Sequence, residues 1–86
     1  MEIDLYREAK EDLKYWQKSG NKAIQKKIQE LFADMKLHPF EGIGKPEPLK
    51  YELAGKWSRR INYEHRIVYS VTGDTINVYS LKGHYF

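Results

Sequence analysis

The chain has 86 residues, no cysteine, and a formal net charge of +3 from fifteen Lys/Arg against twelve Asp/Glu. That length allows one domain, residues 1–86, whose folding buries only about 60% of the unfolded surface. The absence of cysteine removes disulfides, thiolate nucleophiles and cysteine-based metal sites.

In chain order, residues 2–6 read as a short strand. Residues 8–19 form a first helix, with Ala9, Leu13 and Trp16 on one face. Gly20 and Asn21 stop it and open a second helix from Lys22 to Leu37, where Ile24, Ile28, Leu31 and Met35 recur at helical spacing beside Phe32. Two amphipathic helices with so short a link make an antiparallel hairpin. Pro39 ends the second helix, and the segment PFEGIGKPEP (39–48) is an irregular, partly rigid loop. The period then changes to two. Strands are expected at 49–53, 57–62, 66–72 and 75–81, with turns at Ala54–Gly55 and Gly73–Asp74. A strand, a helix pair and a run of strands predict an α+β domain with both helices on one face of a mainly antiparallel sheet.

Apolar residues make up 41% of the chain and charged residues 31%, the balance of a soluble globular domain. No apolar run approaches the roughly 18 residues of a membrane span. MEIDLYREAKEDL carries charge through every turn, so no signal peptide is expected and a cytoplasmic location is. Mild positive charge permits a nucleic-acid partner, and seven Tyr, three Phe and two Trp supply rings for base stacking or for a core.

Alternation sorts the strand residues into two faces. Trp57, Arg59 and Ile61 share one side, and Ile67, Tyr69 and Val71 one side of the next strand. An odd number of turn residues around Glu64 would bring these together over the core. Ser58, Arg60, Asn62, Arg66, Val68 and Ser70 would then occupy the outer face. Arg60 and Arg66 there are solvated arginines that keep the sheet soluble or, the sharper reading, a phosphate site. Glu47 stands between Pro46 and Pro48, close to Lys45 and Lys50; it is a turn residue in water or a rigidly held general base. His84, near the C-terminus, is either a frayed residue or a general acid. His38 reads as a helix-end cap and His65 as a turn or half-buried residue. No HExxH, P-loop, GxSxG or GxGxxG is present, and no metal site or cofactor is expected.

GKPEPLK (44–50), GKWSRRINYEHRIVY (55–69) and the terminal GHYF (83–86) closely resemble the YoeB/Txe family of bacterial toxins, within the RelE-like superfamily of small mRNA-cleaving toxins. The resemblance runs over essentially the whole chain and includes YW at 15–16, KKI at 26–28 and PFEG at 39–42. Two departures stand out: Tyr51 where many relatives carry His, and Phe86 beyond the usual terminal HY.

The resemblance implies two helices on a curved antiparallel sheet, similar to microbial ribonucleases. It implies a toxin that cleaves translated mRNA in the ribosomal A site and is held in check by a cognate antitoxin, with a homodimer as a further expected form. The family's general base falls on Glu47, its phosphate-stabilising arginine on Arg66, and its general acid on His84 with Tyr85 beside it. Lys50, Arg60 and Lys45 would support phosphate binding, and Phe86 could stack a base. Such a reaction uses the 2′-hydroxyl of RNA as nucleophile and needs no metal. The rival reading is a non-catalytic RNA- or ribosome-binding protein.

The last strand poses a parity problem. A two-residue loop at Gly73–Asp74 puts Ile76 and Val78 on the core face, and unbroken alternation would turn His84 the same way. A break or bulge between Ser80 and Gly83 is therefore expected, to bring His84 to the side of Arg66 and Glu47.

Overall fold

The computed structural model describes residues 1–83. Strand β1 (Glu2–Leu5) leads into helix α1 (Arg7–Ser19) and helix α2 (Lys22–Leu37). Then come β2 (Glu47–Pro48), a single helical turn at Tyr51–Leu53, β3 (Trp57–Arg60), β4 (Arg66–Thr72) and β5 (Thr75–Ser80). The sheet order is β1-β5-β4-β3-β2; β1 runs parallel to β5 and every other pair is antiparallel.

The helix pair is set by local chemistry. Gly20 closes α1 in the left-handed region at φ 72°, where a side chain would be strained. Asn21 caps α2, its Oδ1 accepting from the Ile24 amide at 3.1 Å. Gln25 Nε2 donates to the Trp16 carbonyl at 2.9 Å and ties the two helices together. Ala9, Trp16, Ile24, Ile28, Leu31 and Met35 pack with Ile61, Ile67, Tyr69, Ile76, Val78 and Leu81 in one buried cluster. The α+β expectation and both helices hold, with α1 starting at Arg7.

The expected strand at 49–53 is replaced by something shorter. Pairing with β3 involves only Glu47 and Pro48, opposite Ser58 and Trp57. Leu49 adds one further bond, its amide donating to Lys56 O at 2.9 Å. The chain then turns: Leu53 N donates to Lys50 O and Ala54 N to Tyr51 O, with Tyr51 at φ 58°. The alternation of Leu49, Tyr51 and Leu53 mimics a strand, but Tyr51 is 88% exposed. Residues 50–56 are consumed in reversing direction into β3.

The turn between β3 and β4 has the odd length that the face assignment requires. Arg60 pairs with Arg66, leaving five residues between them. Asn62 Oδ1 holds that turn by accepting from the Glu64 and His65 amides. The Gly73–Asp74 hairpin has the expected two-residue loop, with Thr72 opposite Thr75. The register break lies earlier than expected. Tyr69 pairs with Val78 but Val68 with Ser80, so the extra residue is Tyr79. β5 then ends at Ser80, so the strand also breaks between Ser80 and Gly83, as expected. The Tyr79 hydroxyl meets Ser70 Oγ at 2.8 Å, and Ser70 accepts from Asn77 Nδ2. That polar contact on the outer face gives a physical reason for the bulge to sit there, with Gly83 left to the chain's exit.

Candidate active site

Arg59 and Arg66 show how the two faces differ. Arg59 lies on the helix side and is fully buried. Its Nη1 donates to Asp34 Oδ2 at 2.6 Å and to Ile43 O at 3.1 Å. Its Nη2 donates to Glu41 O at 2.8 Å and also to His38 O. Its Nε donates to Tyr69 Oη at 3.1 Å, and that hydroxyl donates on to Pro39 O at 2.8 Å. All the guanidinium donors thus find acceptors, and they gather the loop 38–43 beneath the sheet. The Arg59 guanidinium holds the Asp34 carboxyl below its ordinary value. Gly42 belongs to this arrangement: at φ 115°, a Cβ there would stand 2.0 Å from Asp34 Oδ2.

That loop delivers Glu47 to the outer face. Pro46 and Pro48 are tolerated because β2 is an edge strand. Glu47 pairs with Ser58, and Ser58 with Val68, so Glu47, Ser58 and the residue two before Val68, Arg66, share one side of the sheet. Arg66 Nη1 donates to Glu47 Oε1 at 3.1 Å and to Ser58 Oγ at 3.2 Å. The Arg66 side chain is 8% exposed while that of Glu47 is 58% exposed. A mostly buried cation is thereby aimed at a carboxylate that solvent reaches. Sequence reasoning placed Ser58 on this face without giving it a role; its position one strand over from Arg66 was the available signal.

Arg60 shares the face of Arg66 but not its environment. It is exposed and lines a cavity with Lys45 and with Lys27 of α2. Lys50 is exposed just past β2 and makes no side-chain bond to Glu47 or Arg66 among the described residues. Of the expected basic residues, the structure therefore joins only Arg66 to Glu47. Lys27 entered the sequence reading only within the KKI of the family resemblance, with no role at the site.

The chain's exit from β5 is held from two directions. Leu81 N donates to Asp12 Oδ2 at 2.9 Å, and Trp16 Nε1 donates to Leu81 O at 2.9 Å. Partial burial raises the Asp12 carboxyl above its ordinary value, against the pull of the Leu81 amide. Gly83 N donates to His65 Nδ1 at 3.0 Å, and Arg66 N donates to Gly83 O at 3.1 Å. The His65 ring packs edge-on against Trp16, 4.8 Å between centroids. Gly83 is thus fixed beside the backbone of Arg66. His84, Tyr85 and Phe86 lie outside the described residues. His38 caps α2 through its backbone, as expected, while His65 does more than fill a turn.

Two helices on one face of a five-stranded, mainly antiparallel sheet define the RelE-like toxin fold. The model for the YoeB-like toxin of bacterial type II toxin-antitoxin systems matches residues 5–85. Toxin YoeB of Escherichia coli (strain K12) is 49% identical over 85 residues, covering 99% of this chain and all of that protein. The YoeB-YefM complex from Staphylococcus aureus superposes with a TM-score of 0.89 at 48% identity, covering 99% of this chain and 98% of that one. The YoeB dimer from the same organism gives 0.89 at 46% identity with the same coverage. The chain belongs to the YoeB toxin family.

Proposed function

We propose that this toxin is a ribosome-dependent endoribonuclease that cuts translated mRNA in the A site by acid–base catalysis. The observation that carries the reading is Arg66, nearly buried, with one nitrogen shared between Glu47 and Ser58 on an accessible sheet face. A phosphodiester entering this face competes with Glu47 for the guanidinium. As Arg66 turns to the phosphate oxygens, Glu47 Oε1 is released to take the proton of the 2′-hydroxyl, and the 2′-oxygen attacks phosphorus. His84 gives a proton to the departing 5′-oxygen, with Tyr85 aligning the sugar and Phe86 stacking a base. The products are a 2′,3′-cyclic phosphate, or the 3′-phosphate it opens to, and a 5′-hydroxyl. The nucleophile belongs to the substrate, so the reaction asks for no cofactor.

Lys50, Lys45 and Arg60 add positive potential along the RNA path. The fixing of Gly83 beside the backbone of Arg66 supports the role of His84, the next residue in the sequence. In the cytoplasm, a cognate antitoxin would bind this chain and block the site; the Staphylococcus aureus relative in complex with YefM supports that partner. The dimer of the same relative supports a homodimer.

Primer extension on mRNA from translating ribosomes tests the reading. Wild-type protein should produce discrete cuts, and a Glu47→Gln/His84→Gln variant none. Ribosome binding without cleavage by the wild type would replace this reading with that of a non-catalytic ribosome-binding protein.

A further inference from the structure

We infer that the cavity between α2 and the end of β3 is a second phosphodiester subsite, in which Lys27, Lys45 and Arg60 hold an RNA backbone phosphate apart from the Glu47–Arg66 cluster. The inference rests on the reading of RNA as substrate and goes beyond it by adding a binding site and a residue, Lys27.

The cavity has a volume of about 420 Å³ and is walled by Gly44, Lys45, Arg60, Ile61, Asn62, Tyr63 and Lys27. Its three cations come from three different elements, and no acidic residue lines it among the described residues. None of the three forms an ion pair with a described residue. Elsewhere the fold does pair its charges, as in Arg59 with Asp34 and Arg66 with Glu47. Like charges gathered around one concavity repel, and an anion there relieves the repulsion.

The cavity is built, not incidental. Gly44 O accepts from Arg60 N at 2.7 Å, pinning the loop to β3. A Cβ at Gly44 would stand 2.7 Å from Leu31 Cδ2, so only glycine allows the loop this close to α2. Lys45 follows at φ 50°, a left-handed conformation uncommon for residues other than glycine. The pinned loop thereby fixes the direction in which the lysine leaves the backbone.

Position and chemistry select the ligand. Arg60 is the backbone partner of Arg66, so the cavity begins where the Glu47–Arg66 cluster ends. Arg66 turns its guanidinium to Glu47, while Arg60 lines the cavity. A single strand crossing this edge would place successive phosphates on successive arginines.

The test is fluorescence anisotropy with a short labelled single-stranded oligothymidylate, titrated across a range of salt concentrations. This probe keeps the phosphates but lacks the 2′-hydroxyl, so wild-type protein can be used without cleavage. Lys27→Ala should weaken binding several-fold and reduce the slope of log K against log salt by about 0.7, one lost phosphate contact. Lys45→Ala should do the same, and Lys18→Ala, on the exposed end of α1, should do neither. Unchanged slope and affinity for Lys27→Ala would overturn the inference, as would an equal loss from Lys18→Ala. Tighter, Lys27-dependent binding of an oligo-glutamate of matched charge would overturn it in favour of an acidic peptide. A Lys27 effect in a protein that cuts no mRNA would keep the subsite and remove the proposed reaction; cleavage with no Lys27 effect would do the reverse.

Discussion

Arg59 and Arg66 sit on neighbouring strands, both nearly out of solvent, and they do opposite things. Arg59 spends its donors on Asp34, Tyr69 Oη and three loop carbonyls, so it gathers the loop that ends at Glu47. Arg66 Nη1 donates to Glu47, which is largely exposed, and to Ser58. Burial alone does not mark a functional charge. What separates the two is whether the acceptors are internal and fixed, or open to exchange for an incoming anion.

The largest effect should come from the helix side. Arg59→Ala leaves Asp34 and several carbonyls without their donor, and should destabilise the protein by about 3–5 kcal/mol. Urea unfolding would measure this; a loss below about 1 kcal/mol would remove the structural role. On the outer face, Glu47→Gln should slow cleavage of ribosome-bound mRNA by about 10²–10⁴-fold while shifting the unfolding midpoint little. Near wild-type cleavage would show that Glu47 is not the base.

Acid sharpens the contrast. Arg59 depresses the Asp34 carboxyl, so the stability it supplies is complete above the unfolded value of about 3.9 and drains away as pH falls through the lower folded value. Wild type should therefore lose more stability between pH 5 and pH 3, by urea midpoint, than Asp34→Asn does. Equal losses would contradict the assignment. The smallest effect is expected at Ser58. Ser58→Ala removes one neutral acceptor from Arg66, worth about 1 kcal/mol, and should slow cleavage roughly fivefold. No change would mean that Ser58 only fills space.

The face assignment was legible because side chains alternate along a strand: Ser58, Arg60, Arg66 and Val68 fall together once the turn length is odd. The helices were legible from Ile24, Ile28, Leu31 and Met35. The role of Arg59 was not, because its partners Asp34, Ile43 and Tyr69 are distant in sequence and its own strand position predicts an apolar residue. The hydrogen bond from Gly83 to His65, and the meeting of Lys27 with Arg60, were hidden for the same reason. The strand at 49–53 failed because alternation cannot tell a paired strand from an exposed turn of the same composition. The bulge fell at Tyr79, where Ser70 offers a partner, and not at the glycine that would have tolerated it most easily.

The central claim is that the outer-face arginine does chemistry while the helix-side arginine maintains structure. It is tested most directly by the single-turnover cleavage rate of Arg66→Ala on ribosome-bound mRNA, measured in protein whose folding is verified by its unfolding transition. The account predicts a folded variant slowed by about 10²–10³-fold. A folded Arg66→Ala protein that cleaves at nearly the wild-type rate would contradict it.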